Sequence, residues 1–144
     1  MRTIDEMKPK KVLLLICWAF LFGTSSCEEE IPSPATTFRQ FFRILQSGDR
    51  DQVFQMLSKN SQEYFKSQHE ALQRAIPEAK DYTIEDMLII SHFKLGESLE
   101  LVEEVKLTGD SAELKVTFPR GEAVIHMIKE NGQWKVDLIG SGKP

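Results

Sequence analysis

A carboxylate and an imidazole are the groups in this chain best placed to do chemistry. Alternation along Leu101-Val102-Glu103-Glu104-Val105 puts Glu103 on the face of Leu101 and Val105, an ionisable group among apolar neighbours. His69 falls on the apolar stripe of a predicted helix, with Phe65, Leu72 and Ile76. Burial raises the pKa of a carboxyl group, and such an acid beside an imidazole can move protons near neutral pH. Two plainer readings compete with this one. A bulge at Val102-Glu103 would turn the carboxylate to solvent, and a histidine on a helix is more often packed or half-exposed. His126 falls opposite Asp137 on the outer face and reads as a surface pair, while the pattern does not orient His92.

Other chemistries find no residues to carry them. The chain has no phosphate-cradling glycine loop, no CxxC, no His pair at metal-ligand spacing and no G-x-S-x-G. No catalytic residue, metal or cofactor is therefore assigned. Glu103 and His69 stand as candidate pocket residues. Phe38, Phe41, Phe42 and Phe54 could line a ligand pocket, but packing into a core explains them equally and is preferred.

The elements that must position these groups come in two halves. Thr37, with Gln40 three residues on, has capping-box spacing and opens a first predicted helix. Its stripe is Phe38, Phe41, Phe42 and Leu45, and Gly48 is placed to end it. A second helix follows Asp49 with Val53, Phe54 and Leu57 inward. Ser61 is the predicted cap of a third, which ends before Pro77, and Thr83 opens a fourth with Ile84, Met87, Leu88 and Ser91. From Ser98 the period becomes two. A type II′ turn at Gly109-Asp110 sets Leu107 opposite Ala112, Val105 opposite Leu114 and Leu101 opposite Phe118. Folding at Arg120-Gly121 sets Phe118 beside Ala123 and Val116 beside Ile125. Asn131-Gly132 sets Met127 beside Val136 and Ile125 beside Leu138. Three turns agree on one apolar face, with Trp134 at its end, while Glu104, Lys106, Glu113, Lys115 and Thr117 face water. The predicted fold class is α+β: N-terminal helices packed on a curved antiparallel sheet of four or more strands.

The N-terminus reads as an address. Lys8, Lys10 and Lys11 precede an apolar run from Val12 to Phe22, and the small residues Gly23 to Ser26 follow it. Eleven helical residues rise roughly 16 Å, short of a hydrocarbon core about 30 Å thick. A basic start, a short apolar middle and a small-residue end describe a secretory signal. The acidic Asp5 and Glu6 suit a start at Met7 better than one at Met1. The stretch resembles a bacterial lipoprotein signal, in which the cysteine after the small-residue box receives lipid. That role falls to Cys27, although Thr24 stands where the family usually carries an aliphatic residue. Residues 1–26 are then signal, 27–35 a lipid-anchored tether made extended by Glu28 to Glu30 and two prolines, and 36–144 the folded domain. Cys17 would leave with the signal, so the mature chain has no internal disulfide.

Charge narrows the partners. The chain has 18 basic and 22 acidic residues; the first 27 carry four and two of these, leaving 14 and 20, a net charge of −6. No basic stripe is available to neutralise phosphates, which argues against nucleic acid.

An opening "FRQFFRILQSGDRDQVFQML" and a meander ending in "NGQWKVDL" resemble the nuclear transport factor 2-like (SnoaL-like, cystatin-like) superfamily, and more narrowly small bacterial envelope lipoproteins built on that fold. The resemblance covers Thr36 to Gly140 and rests on the Gly48-Asp49 turn and Trp134. It implies a curved sheet wrapped round helices as a cone with one open end; the extra strand usual among the helices has no place in this sequence. The superfamily hosts enzymes, binding modules and assembly domains, so the fold leaves function open. The preferred expectation is a membrane-anchored envelope lipoprotein, facing the periplasm, with the outer membrane the favoured side. Its domain would bind a small apolar ligand or an envelope protein without catalysis. The alternatives are a small pocket enzyme of isomerase or dehydratase type using Glu103 and His69, and a structural module of an envelope assembly.

Overall fold

The computed structural model describes residues 30–140, apart from the side chains of residues 89–92. The signal-like stretch, Cys27 and the His92 side chain lie outside the described residues.

The first helix, α1 (Pro34–Ser47), begins three residues ahead of the predicted Thr37. Ser33 Oγ accepts from Thr36 N–H at 3.2 Å, and Pro34 occupies the first turn, where its missing N–H costs nothing. Thr37 is consequently buried inside the helix rather than capping it. Asp49 caps α2 (Arg50–Met56) by accepting from Gln52 N–H. The third helix, α3 (Lys59–Ala75), also starts early: Ser58 is its cap, and Ser61, the predicted cap, lies within its first turn. A 3₁₀ turn (Pro77–Asp81) leads to α4 (Ile84–His92). Thr83 and Asp86 cap each other there, Thr83 N–H to Asp86 Oδ2 at 3.0 Å and Asp86 N–H to Thr83 Oγ1 at 3.2 Å.

Four antiparallel strands follow in the order β1-β2-β3-β4: β1 (Leu101–Thr108), β2 (Ser111–Phe118), β3 (Gly121–Glu130) and β4 (Gln133–Asp137). The helices-then-meander reading is therefore correct, and the fold is α+β. The hairpin at Asn131-Gly132 has positive φ at both residues, 50° and 78°, as a type I′ turn requires. Met127 pairs with Val136 as expected. The turn falls at Pro119-Arg120, one residue earlier than predicted, so Val116 faces Ala123 and Leu114 faces Ile125. A slip of two residues keeps every side chain on its face, which is why the inward set survives the change.

In β1 the difference is larger. Leu107 faces Ala112 as the turn dictates, but the register shifts between Glu104 and Lys106, leaving Val105 as an unpaired bulge residue. One extra residue reverses the parity of everything before it. Val102 is thereby buried against Val116, while Leu101 and Glu103 turn outward. Glu104, read as solvent-facing, pairs with Leu114 and accepts from Ala35 N–H in the first turn of α1.

The core lies between α1 and the sheet. Phe38, Phe41 and Phe42 meet Phe93 and Phe118 at ring-centroid distances of 5.6–6.5 Å, above buried Leu114, Val116, Met127 and Val136. These rings are core residues. Phe54 is only half-buried, with Lys66 Nζ 5.5 Å from its ring centroid.

Candidate functional site

Beyond Phe65 the apolar stripe of α3 runs past the sheet. Leu72 and Ile76 share one helical face. Pro77 then turns the chain into the 3₁₀ segment, where Ala79 is buried, and Tyr82 brings it back toward Met87 of α4. These residues, with Glu78, line a solvent-open cavity of about 490 Å³. Its walls are almost wholly apolar, and Ile76 and Tyr82 remain about half exposed, at 48% and 49%. A volume of this size falls in the range of small-molecule sites, roughly 300–1,000 Å³.

His69 lies one turn before Leu72, and its Nε2 is 2.7 Å from the Tyr82 carbonyl oxygen. A carbonyl can only accept, so Nε2 carries the proton and is committed to holding the returning backbone. His69 thus braces the groove. Asp86 anchors its far side: the Thr83 backbone N–H lowers the Asp86 pKa against an opposing burial cost, helped by the Thr83 hydroxyl and the charge of Arg50, 3.2 Å away.

Glu103 is elsewhere. The bulge at Val105 leaves it exposed on the outer face of the sheet, opposite Lys115. Lys115 has its pKa raised, first by the hydrogen bond it donates to Glu122 at 2.9 Å, then by the Glu122 and Glu103 charges. No hydrogen bond or ion pair joins Glu103 to His69 among the described residues, so the acid–base pair read from the sequence is not assembled. The parity change in β1 turns Glu103 outward, and His69 is held at the Tyr82 carbonyl.

A polar cluster that sequence reading missed sits at the start of α3. Asp137 was expected as a surface partner of His126. The two do face each other in the register, but Asp137 is 6% exposed. Its Oδ1 accepts from Ser58 Oγ and Ser61 Oγ, both at 3.0 Å, and both serines are fully buried. Ser58 Oγ in turn accepts from Ser61 N–H, and Ser61 Oγ from Leu138 N–H. The hydroxyl protons are spent within the cluster, that of Ser61 on the carboxylate and that of Ser58 on the carboxylate or on Ser61 Oγ, 3.0 Å away, so the cluster fastens α3 to β4 instead of presenting a nucleophile. Gly140 helps to accommodate it: a Cβ there would stand 3.0 Å from Asp137 Oδ2. The available signal was Ser58, a cap residue three positions before Ser61, together with an aspartate inside the apolar run "VDLI".

No cluster of three or more His, Cys, Asp or Glu residues that could hold a metal occurs among the described residues. No helix among them is long and apolar enough to cross a membrane. The class defined by these elements is an α+β domain with an apolar groove at the edge of its helical layer. Compared with models of known protein families and with curated proteins, the sequence matches none.

Proposed function

We propose that this chain is a lipid-anchored cell-envelope protein whose domain, of nuclear transport factor 2-like type, binds a small, mainly apolar molecule without transforming it. The observation that carries the binding role is the 490 Å³ groove of Leu72, Ile76, Ala79, Tyr82 and Met87. Its polar groups are few and peripheral, the Glu78 carboxylate and the Tyr82 phenol, which suits orientation of a ligand more than chemistry upon it. A non-catalytic role is favoured over the isomerase or dehydratase alternative because Glu103 is exposed beside Lys115 while His69 holds the Tyr82 backbone. The superfamily assignment rests on the helices-then-meander order, on Gly48 ending α1 directly before the Asp49 cap of α2, and on Trp134 buried in the last hairpin. A single parallel bridge, Leu57 to Val136, stands where that superfamily usually has a further strand. Anchoring rests on the signal-like N-terminus ending at Cys27.

Methionine methyl NMR tests the groove in the membrane-embedded full chain. Titration with octanol should move the Met87 methyl signal saturably and leave that of fully buried Met127 in place. Ile76→Asp should abolish the shift, and Glu103→Gln should not. An unmoved Met87 signal, or a response that survives Ile76→Asp, rejects the groove as the site. Anchoring is tested separately: Cys27→Ala should remove labelling by a fatty-acid probe and release the protein from membranes.

A further inference from the structure

The two edges of the sheet are finished differently. At β4, Leu57 bridges to Val136 and Ser58 N–H donates to the Val136 carbonyl at 2.8 Å, so the helical layer covers that edge. At β1, Arg39 Nη2 donates to the Val102 carbonyl at 2.9 Å, engaging one end. From Glu103 to Thr108 the strand is exposed, with Val105 at 54% and Leu107 at 58%. An exposed apolar edge is a template for pairing with another strand.

The bulge that would ordinarily protect this edge makes it complementary to itself. A strand paired with its own copy runs antiparallel about a two-fold axis. Because of the bulge, Val102 and Leu107 both face inward, and Glu103 and Lys106 both face outward. With the axis between Glu104 and Val105, Glu103 lies opposite the partner's Lys106, and Lys106 opposite the partner's Glu103. Leu107 then lies over the partner's Val102, and each bulge meets its counterpart. Every pair outside the bulge matches in face, and the charged pairs are opposite in sign. An unbulged strand would fail, since residues five apart in sequence point to opposite faces.

We propose that β1 is a self-pairing edge through which two copies of this chain associate, with Glu103 and Lys106 making two symmetry-related ion pairs across the contact. The contact uses none of the groove residues and stands independently of the ligand-binding reading. A ladder of about six residues per copy lies at the small end of specific interfaces, below roughly 1,200 Å² in total, so association is concentration-dependent.

Sedimentation equilibrium of the full chain in density-matched detergent should show the mass rising from one protein chain toward two with concentration. Glu103→Lys or Lys106→Glu alone should weaken association by roughly tenfold or more, because each places like charges together twice. The double variant Glu103→Lys/Lys106→Glu should restore it to within about threefold of the original. Within one chain, both exchanges in the double variant still set like charges together, the first against Lys115 and the second against Glu113. Its recovery therefore reports contact between copies and not repair of the fold. A chain that stays monomeric at every concentration overturns the proposal. So does a dimer indifferent to Glu103→Lys, or a double variant no tighter than the single ones.

Discussion

Helices α1 and α3 carry the same kind of apolar stripe and meet different ends. Along α1, Phe38, Phe41, Phe42 and Leu45 are all buried, because the helix packs against β1, β2 and β4 and against α2. Along α3, Phe65 is buried, His69 and Leu72 are half-buried, and Ile76 is exposed. The N-terminal turn of α3 is fastened to β4 by Asp137 and to β3 by Glu130, whose carboxylate accepts from Lys59 N–H. Farther along, among the described residues, the short 3₁₀ turn and α4 lie beside it. A stripe of period 3.6 therefore specifies a face that prefers burial, while the neighbouring surface decides how much of it is buried. The unburied remainder of α3 is the groove.

If that contrast is right, the two regions should respond very differently to truncation. Phe38→Ala, in the closed region, should cost about 3–5 kcal/mol in urea unfolding, since the ring is fully buried among other rings. Trp134→Ala should fall in the same range. A loss below about 1 kcal/mol for either would mean that the region is not close-packed. At the junction between the regions, Asp137→Ala should cost about 2–3 kcal/mol, because two fully buried hydroxyls lose a charged acceptor. Ser58→Ala should cost less, about 1 kcal/mol for the lost cap and one hydrogen bond, measured in the same way.

In the open region, Ile76→Ala should change stability by less than about 1 kcal/mol while weakening ligand binding, because the side chain is half in water. A larger destabilisation would mean that the groove closes in solution. The smallest effect is a pH dependence. The folded pKa of Asp86 lies below the ordinary 3.8, so its stabilisation is present at neutral pH. It declines as the unfolded group protonates near 3.8 and disappears once the pH falls through the lowered folded value. The stability gap between the native chain and Asp86→Ala should accordingly be wider at pH 7 than at about pH 3. A gap that widens on acidification would contradict this sign.

Local chemistry made much of the architecture legible. Gly48 and Asp49 mark the α1–α2 boundary, Thr83 the start of α4, and Gly109-Asp110 and Asn131-Gly132 two hairpins, because turn and cap preferences act within about four residues. Helix caps were read four residues late at Thr37 and three residues late at Ser61. In each case a second plausible cap, Ser33 or Ser58, stood upstream, and tertiary contacts favoured it: Ala35 N–H reaches Glu104, and Ser58 reaches Asp137 and Val136.

The candidate site was the least legible part, and Glu103 shows why. Alternation placed it inward, and nothing within the strand contradicts that placement. What reverses it is Val105 leaving the ladder, in a strand whose Glu104 caps the first turn of α1 and whose Val102 carbonyl takes Arg39. Those partners lie 69 and 63 residues away. Apolar periodicity and turn residues determined the elements, their order and most of the inward faces, because their physics is local. Which face Glu103 shows, whether Asp137 meets water and where the α3 stripe runs out of cover are set by surfaces that meet only once the chain has folded.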